Sequence, residues 1–480
     1  MRFIADLHIH SHYSMATSKQ LNPEYLDYWA RIKGIGLIAT GDFTHYKWIA
    51  ELKEKLEPAE EGLFRLRPEL RIKLPFENSA LEHSEVRFIL SAEISNIYKK
   101  NGKVRKVHNL IYAPSFEVVE KMQAQLSKIG NITSDGRPIL GLDSRNLLEL
   151  ALECSPDIFF VPAHIWTPWF SVLGEKGGFN SIEECFGDLS GHIYALETGL
   201  STNPALNWMC SFLDKYTLLS NSDAHSPDRL GRNANVLNCD FSYTNVIEAI
   251  KNGDGKTFIG TIDFYPQEGK YHYDGHRKCN VCWNPVETLK HHAICPVCGK
   301  RVVVGVASRI AQLSDRTNIT QRPNRRDFFS IIPLPEILAE ITGAGESSKK
   351  VKQLYFDLLA KCGSEFDILL NHPLEYIYKT GGVLVAEAIK RMRNGEVIIH
   401  EGFDGEYGVI KVFQPGENAE FEAEESMYMD TAEKRIKKEQ KLLNFDLAEY
   451  RRLVEEHYTL EDTDSADKNN KEPDTQLKLF

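Results

Sequence analysis

Short apolar runs alternate with amphipathic stretches through the first 265 residues of the chain. Runs of four or five apolar residues bounded by turn residues read as buried strands, and apolar positions recurring at helical spacing read as helices that cover them. The pattern predicts strands at Phe3–Ala5, Gly36–Thr40, Val86–Leu90, Asn109–Tyr112, Ile158–Val161, Ile193–Leu196 and Thr217–Ser220, and helices around Tyr25–Lys33 and Trp48–Leu56. Seven strands separated by helices point to a parallel α/β fold, closed as a barrel rather than spread as an open sheet. Near Tyr271 the pattern breaks into a Cys/His-rich patch, and from Ser308 it becomes mostly helical, with helical spacing over Ser347–Leu359 and Leu384–Met392. Residues 431–458 read as a charged helix, and Ser465–Thr475 as a polar linker without an apolar anchor. The predicted division is a barrel at 1–265, a four-Cys unit at 266–307, a helical domain at 308–414, and a charged helix with a flexible tail at 415–480.

Composition adds few constraints. Of the 480 residues 42% are hydrophobic and 26% charged, which excludes a collagen-like or wholly disordered chain. No run reaches the ~18 apolar residues of a membrane span, and Asp6 follows the initiator methionine too closely for a signal peptide. A cytoplasmic protein with no membrane partner is therefore expected. The net charge is −11, but residues 415–480 carry 18 acidic and 10 basic side chains, a net of −8, which leaves −3 for residues 1–414. A nearly neutral body can carry a local basic groove, so the overall charge excludes no class of partner.

The candidate chemistry lies where His, Asp and Glu meet the apolar runs. His8 and His10 follow the first run two residues apart, a spacing that puts both imidazoles on one face of an extended chain. Asp42, Glu93, His164 and Glu197 follow later runs, His108 precedes one, and Asp223 and His225 close the set; His12 and His45 lie near it. In a β/α barrel the strand ends converge on one face, where active sites are built. Imidazoles and carboxylates together suit a multinuclear site of divalent ions, and such a cluster suits phosphate-ester hydrolysis. Asp223, His225, His8 and His10 are the expected catalytic core.

Asp6-Leu7-His8-Ile9-His10-Ser11, Thr40-Gly41-Asp42, Glu93 and Ser222-Asp223-Ala224-His225 resemble the motifs of the polymerase and histidinol phosphatase (PHP) superfamily. The resemblance implies a distorted seven-stranded β/α barrel with a phosphoesterase site of two or three divalent ions (Zn²⁺, Mg²⁺ or Mn²⁺), and assigns ligand roles to His8, His10, Glu93, His108, His164, Asp223 and His225. Asp42 stands where the superfamily usually has a histidine, and it or His45 is the second-motif ligand.

Of nine cysteines, Cys154, Cys185, Cys210, Cys239 and Cys362 are scattered, while Cys279, Cys282, Cys295 and Cys298 form two Cys-x-x-Cys turns. Four thiolates at this spacing predict one closed, structural zinc site, with His291 and His292 near enough to displace a cysteine. The stretch Lys270–Ile310 holds seven basic and two acidic residues interleaved with aromatics. A barrel followed by Tyr271-His272-Tyr273-Asp274-Gly275-His276-Arg277-Lys278-Cys279, the four-Cys unit and a helical region is similar to the endonuclease Q family. That resemblance implies a DNA-repair endonuclease that nicks 5′ of uracil, hypoxanthine, xanthine and abasic sites. Candidate contacts to DNA or the extruded base are His45, Trp166, Trp169, Tyr271, Arg277, Lys278, Lys349 and Lys350. The C-terminal Gln476-Leu477-Lys478-Leu479-Phe480 places apolar residues on a polar tether and resembles the peptide that docks on the bacterial β sliding clamp, through Gln476, Leu477, Leu479 and Phe480. The rival readings are a PHP phosphatase for a small phosphomonoester and a non-catalytic, clamp-tethered DNA adaptor.

Overall fold

In the computed structural model residues 1–316, 318–319, 326–418 and 442–465 are described. The proposed clamp peptide lies outside the described residues, as do residues 431–441 of the predicted helix over 431–458; among the described residues of this region a helix runs over Leu447–Ser465.

The strands are β1 (Arg2–Asp6), β2 (Leu37–Ala39), β3 (Leu56–Pro58), β4 (Phe64–Leu66), β5 (Arg87–Lys100), β6 (Lys103–Ala113), β7 (Ile139–Leu140), β8 (Phe159–Pro162), β9 (Ala195–Glu197), β10 (Thr217–Leu219), β11 (Ala234–Asn238), β12 (Phe258–Phe264), β13 (Asp274–His276), β14 (Val281–Trp283), β15 (Asp327–Ile331), β16 (Ile398–His400) and β17 (Val409–Lys411). All seven apolar runs lie in strands, and the fold is mixed α/β around a central sheet. The sheet runs β15-β12-β11-β1-β2-β5-β4-β3, with β6 and β7 on β5 and β8 on β6, while β9 and β10 form a separate parallel pair. The sheet is not wholly parallel: β1 runs antiparallel to β11, β5 to β6, and β11 to β12. Side chains tie the β9–β10 pair to the rest. The Asn235 amide on β11 donates to the carbonyls of Ser220 and Ala5, linking the end of β10 to β1.

The β5–β6 hairpin has a local cause. Asn101 and Gly102 both take positive φ, 53° and 72°, the two-residue turn whose twist matches that of paired strands. Pairing then runs unbroken from Lys100↔Lys103 to Leu90↔Ala113. Ser95 faces His108 and Glu93 faces Leu110, so Glu93 and His108 share one face.

The region past Ser308 is not purely helical. β15 adds to the central sheet in parallel with β12, and Gly260 permits this, because a Cβ there would lie 2.0 Å from the Asp327 carbonyl oxygen. Helices Leu334–Thr342, Lys349–Cys362, Leu374–Gly381 and Val383–Asn394 follow, then the β16–β17 hairpin. Buried Lys33, at the end of helix Pro23–Lys33, pairs with buried Glu365 at 2.6 Å. Glu365 also accepts from the Leu334 amide and the Tyr355 hydroxyl, so the charge is fully partnered and joins the N-terminal helix to the C-terminal ones.

Asp263 on β12 anchors the segment that follows β10. Its carboxyl accepts from Ser220 Oγ and Thr261 Oγ1, each at 2.6 Å, and burial pushes its pKa up from 3.8 to about 6. Because the folded state holds this proton longer than the unfolded chain, the group's cost to stability grows as pH rises from about 4 to about 6 and persists above. Asp263→Asn should therefore stabilise the fold by on the order of 2 kcal/mol at pH 8 and scarcely at pH 4. Denaturant titrations at the two pH values check this, and an equal effect at both would contradict it.

Candidate metal centre

β1 ends at Asp6, and the extended segment beyond it carries His8 and His10 alongside residues 221–225, through an Ile9–Ala224 bridge and a bond from the His10 amide to the Ala224 carbonyl. Asp6 fixes this pairing: one carboxyl oxygen accepts from the Ser222 amide and the other from the Gly231 amide. Glu93 and His108 come from within the hairpin strands rather than from strand ends, and His164 follows β8. Asp42, His164 and Asp223 have φ of 52°, 28° and 47°, a left-handed backbone that is costly for residues with side chains. Three such residues at one site mark a geometry held in place by its surroundings.

Two donor clusters result. His8, His10 and Asp223 form one, and Glu93, His108 and His164 the other, each with its ligand atoms within 4.8 Å of one another. Glu93 joins them. Its Oε1 lies 2.6 Å from His108 Nδ1 and 2.9 Å from His164 Nε2, while its Oε2 lies 3.5 Å from His10 Nε2 and 3.7 Å from His8 Nε2. His8 Nε2 is buried without a hydrogen-bond partner. An orphaned imidazole nitrogen among carboxylates, backed by nitrogen and oxygen donors converging from two sides, fits divalent cations.

The carboxylates are ionised despite burial. Burial raises the pKa of Glu93, but the hydrogen bonds from His108 and His164 and the charge of Arg137 outweigh it and hold the group well below the usual carboxylate range. Asp223 is likewise held far down by His8 and His10 against its burial. Burial would also discharge the imidazoles. Glu197 and Asp223 nevertheless push His8 well above its ordinary value, and Asp223 and Asp42 raise His10 to about 9. His108 shows the reverse balance: burial prevails and lowers it to about 4.

Behind the ligands stands a second set of acceptors. Glu197 Oε1 accepts from His8 Nδ1 at 2.9 Å and from the Asn221 amide, and its Oε2 accepts from the His164 backbone amide. Asp42 accepts from His10 Nδ1 at 3.1 Å, the Ser11 amide and hydroxyl, and the Ser14 hydroxyl. With both oxygens so engaged, Asp42 lies behind His10 and orients it, where the sequence placed it among the ligands. A carboxylate on Nδ1 fixes the tautomer that leaves Nε2 for a metal. His225 is partly exposed; its Nδ1 donates to the Asp223 carbonyl, and its ring lies 4.7 Å from that of His10. His45 is not brought to the centre: its Nε2 donates to the Thr133 carbonyl. His12 is also apart, with Nδ1 donating to the Leu21 carbonyl.

A cavity of about 1000 Å³ opens from His108, His164 and Asp223 and runs past Trp169, Phe170 and Tyr271 to Arg232, Glu268 and Glu336. Trp169 and Tyr271 meet edge to face at 5.4 Å. Trp166 departs from expectation. It is 1% exposed and donates to Asn207, so it belongs to the core. Arg277, Lys278, Lys349 and Lys350 are exposed and do not line this cavity.

In the Cys-rich unit, His276, Cys279, Cys295 and Cys298 bring their ligand atoms together, with Cys298 Sγ 3.3 Å from His276 Nδ1. The β13–β14 register puts His276 opposite Val281 and Cys282 opposite Gly275, so Cys282 falls on the other face of the hairpin, near the Glu401 carbonyl. The gathered set is thus three cysteines and His276 rather than four cysteines. Neither His291 nor His292 joins it; His291 stacks on Trp283.

If Glu197 orients His8 as described, Glu197→Ala should weaken metal binding by ~10–100-fold while the fold persists. Competition against a chromophoric chelator measures this, and unchanged affinity would contradict it.

A family model described as the MJ0043 C-terminal domain matches residues 333–396. Protein MJ0043 of Methanocaldococcus jannaschii is 33% identical over 258 residues, covering 52% of this chain; the chain spans only 31% of that protein's length. Protein YqxK of Bacillus subtilis is 27% identical over 387 residues, 79% of this chain and 89% of that one. The crystal structure of the lesion-specific endonuclease Q of Pyrococcus furiosus superposes with a TM-score of 0.74 at 33% identity, covering 86% of this chain and 96% of that one. An endonuclease Q complex with a 27-mer duplex bearing an abasic lesion at the active site matches with the same TM-score and identity, covering 98% of its chain. At 33% identity to solved endonuclease Q chains that it covers almost completely, the chain belongs to the endonuclease Q family of nucleases.

Proposed function

We propose that this protein is a DNA-repair endonuclease that cuts the phosphodiester bond 5′ of deaminated bases and abasic sites, using a PHP-type barrel. The observation that carries the reading is the pair of donor clusters bridged by Glu93 at the head of a cavity large enough for a nucleotide. Divalent ions held there would lower the pKa of water and offset charge on the attacking and departing oxygens. The chain's own residues supply the frame. Glu93 spans the two clusters, Glu197 and Asp42 hold the imidazoles in register, and Asp223 stands where the cavity begins, with His225 beside His10.

The cavity suits an extruded base. Trp169, Phe170 and Tyr271 offer aromatic faces for stacking, and a mispaired base costs less to extrude than a paired one. The Arg232 guanidinium faces this space next to Phe264, with the carboxyls of Glu336 and Glu268 near it. Its donors complement the carbonyl oxygen that deamination leaves on a base, where the parent base carries an amino group. His276, Cys279, Cys295 and Cys298 hold a structural zinc ion in this reading, and the C-terminal Gln476–Phe480 peptide tethers the enzyme to a bacterial sliding clamp.

Incubation with end-labelled duplexes bearing a single uracil, hypoxanthine, xanthine or abasic position, with and without Mg²⁺, Mn²⁺ or Zn²⁺, tests the reading. Metal-dependent nicking 5′ of the lesion is expected. Asp223→Ala should lower it by at least ~10³-fold with the fold retained. Full activity in that variant, or phosphate release from small esters without DNA cutting, would overturn the assignment. Deleting Gln476–Phe480 should abolish co-elution with a bacterial β clamp while leaving nicking of short duplexes intact; clamp binding by the truncated chain would refute the tether.

A further inference from the structure

We propose that Arg137 is a catalytic arginine that grips a non-bridging oxygen of the scissile phosphate. This deepens the nuclease reading and rests on it. Arg137 comes from the loop between helix Phe116–Leu126 and β7, outside every motif in the sequence. The loops after β1 and β2 fix its position. The Gly136 amide donates to the Tyr13 carbonyl at 3.0 Å, Thr44 Oγ1 to the Gly136 carbonyl at 2.9 Å, and His45 Nε2 to the Thr133 carbonyl at 3.1 Å. A Cβ on Gly136 would lie 2.4 Å from Asp42 Oδ2, so only glycine lets the loop come this close to the metal centre.

The loop delivers a guanidinium to the bridging carboxylate. Arg137 Nη1 donates to Glu93 Oε2 at 3.0 Å, the oxygen that faces His8 and His10. Glu93 is buried, whereas the Arg137 side chain keeps 30% of its surface open. A guanidinium has five N–H donors, and among the described residues Glu93 is the acceptor for one of them. The other donors remain on a partly exposed cation held against the carboxylate that spans the two clusters. A planar fork with spare donors matches two oxygens of a phosphate, and a preset donor acts most strongly where charge develops during reaction. The same bond to Glu93 keeps that carboxylate stretched between the two clusters.

The test uses full-length, metal-loaded protein and compares Arg137→Ala and Arg137→Lys with wild type. Three quantities are measured: bound metal per chain, affinity for inorganic phosphate, and single-turnover cutting of an abasic duplex. Arg137→Ala should keep its metal, bind phosphate at least ~10-fold more weakly and cut ~10²–10³-fold more slowly, with partial recovery in Arg137→Lys and on adding guanidinium. Unchanged phosphate affinity in a variant that retains its metal would overturn the proposal, as would losses that track metal loss. Phosphate binding that depends on Arg137 in a protein that cuts no DNA would sink the nuclease reading and leave this inference standing.

Discussion

Everything at this centre follows from placing ionised carboxylates out of water within a few ångströms of one another. Glu93, Glu197 and Asp223 gather around His8, and burial opposes the charge on Glu93 and Asp223. Such groups stay charged only when cations and hydrogen bonds face them. His8, His10 and Arg137 supply part of that compensation, and the orphaned His8 Nε2 shows where it is incomplete. In the proposed reading divalent ions would complete it. The same requirement accounts for the supporting structure: Asp6 pins the segment bearing Asp223, Glu197 and Asp42 hold the imidazoles, and three non-glycine residues accept left-handed backbone to bring their side chains to one point.

Much of this was legible along the chain because strands and ligands share one pattern. The runs beginning at Phe3, Leu37, Phe88, Phe159 and Leu218 are apolar on successive positions, as doubly buried strands must be, and the ionisable residues interrupt or follow them. β11 and β12 escape this rule. Asn235 is buried in β11 as a hydrogen-bonding joint, and β12 carries Gly260 and Asp263, so polar and small residues broke the apolar signal where the fold needs joints and close approach. Asn101-Gly102 marks the β5–β6 hairpin by local chemistry alone, and reading it as a turn would have put Glu93 and His108 on one face from the start.

The remaining parts of the site depend on contacts that no spacing encodes. Glu197 shows its role only once β9 is beside His8, and Arg137 only once its loop is packed on Asp42. His276 joins the cysteine cluster through the register of a hairpin that turns Cys282 away. Helix Leu334–Thr342 and β17, far along the chain, close the cavity that His108 on β6 and the segments after β8 and β10 open. The C-terminal region therefore shapes the ground beside the metal centre, and the strand it adds through β15 ties it to the central sheet.

The most direct measurement is cutting of a duplex with one abasic site by chelator-stripped protein, before and after divalent ions are restored. The account predicts silence before, and afterwards a single break on the 5′ side of the lesion. Cutting by the stripped protein, or none with any ion in a protein that has demonstrably reloaded its metal, would contradict it.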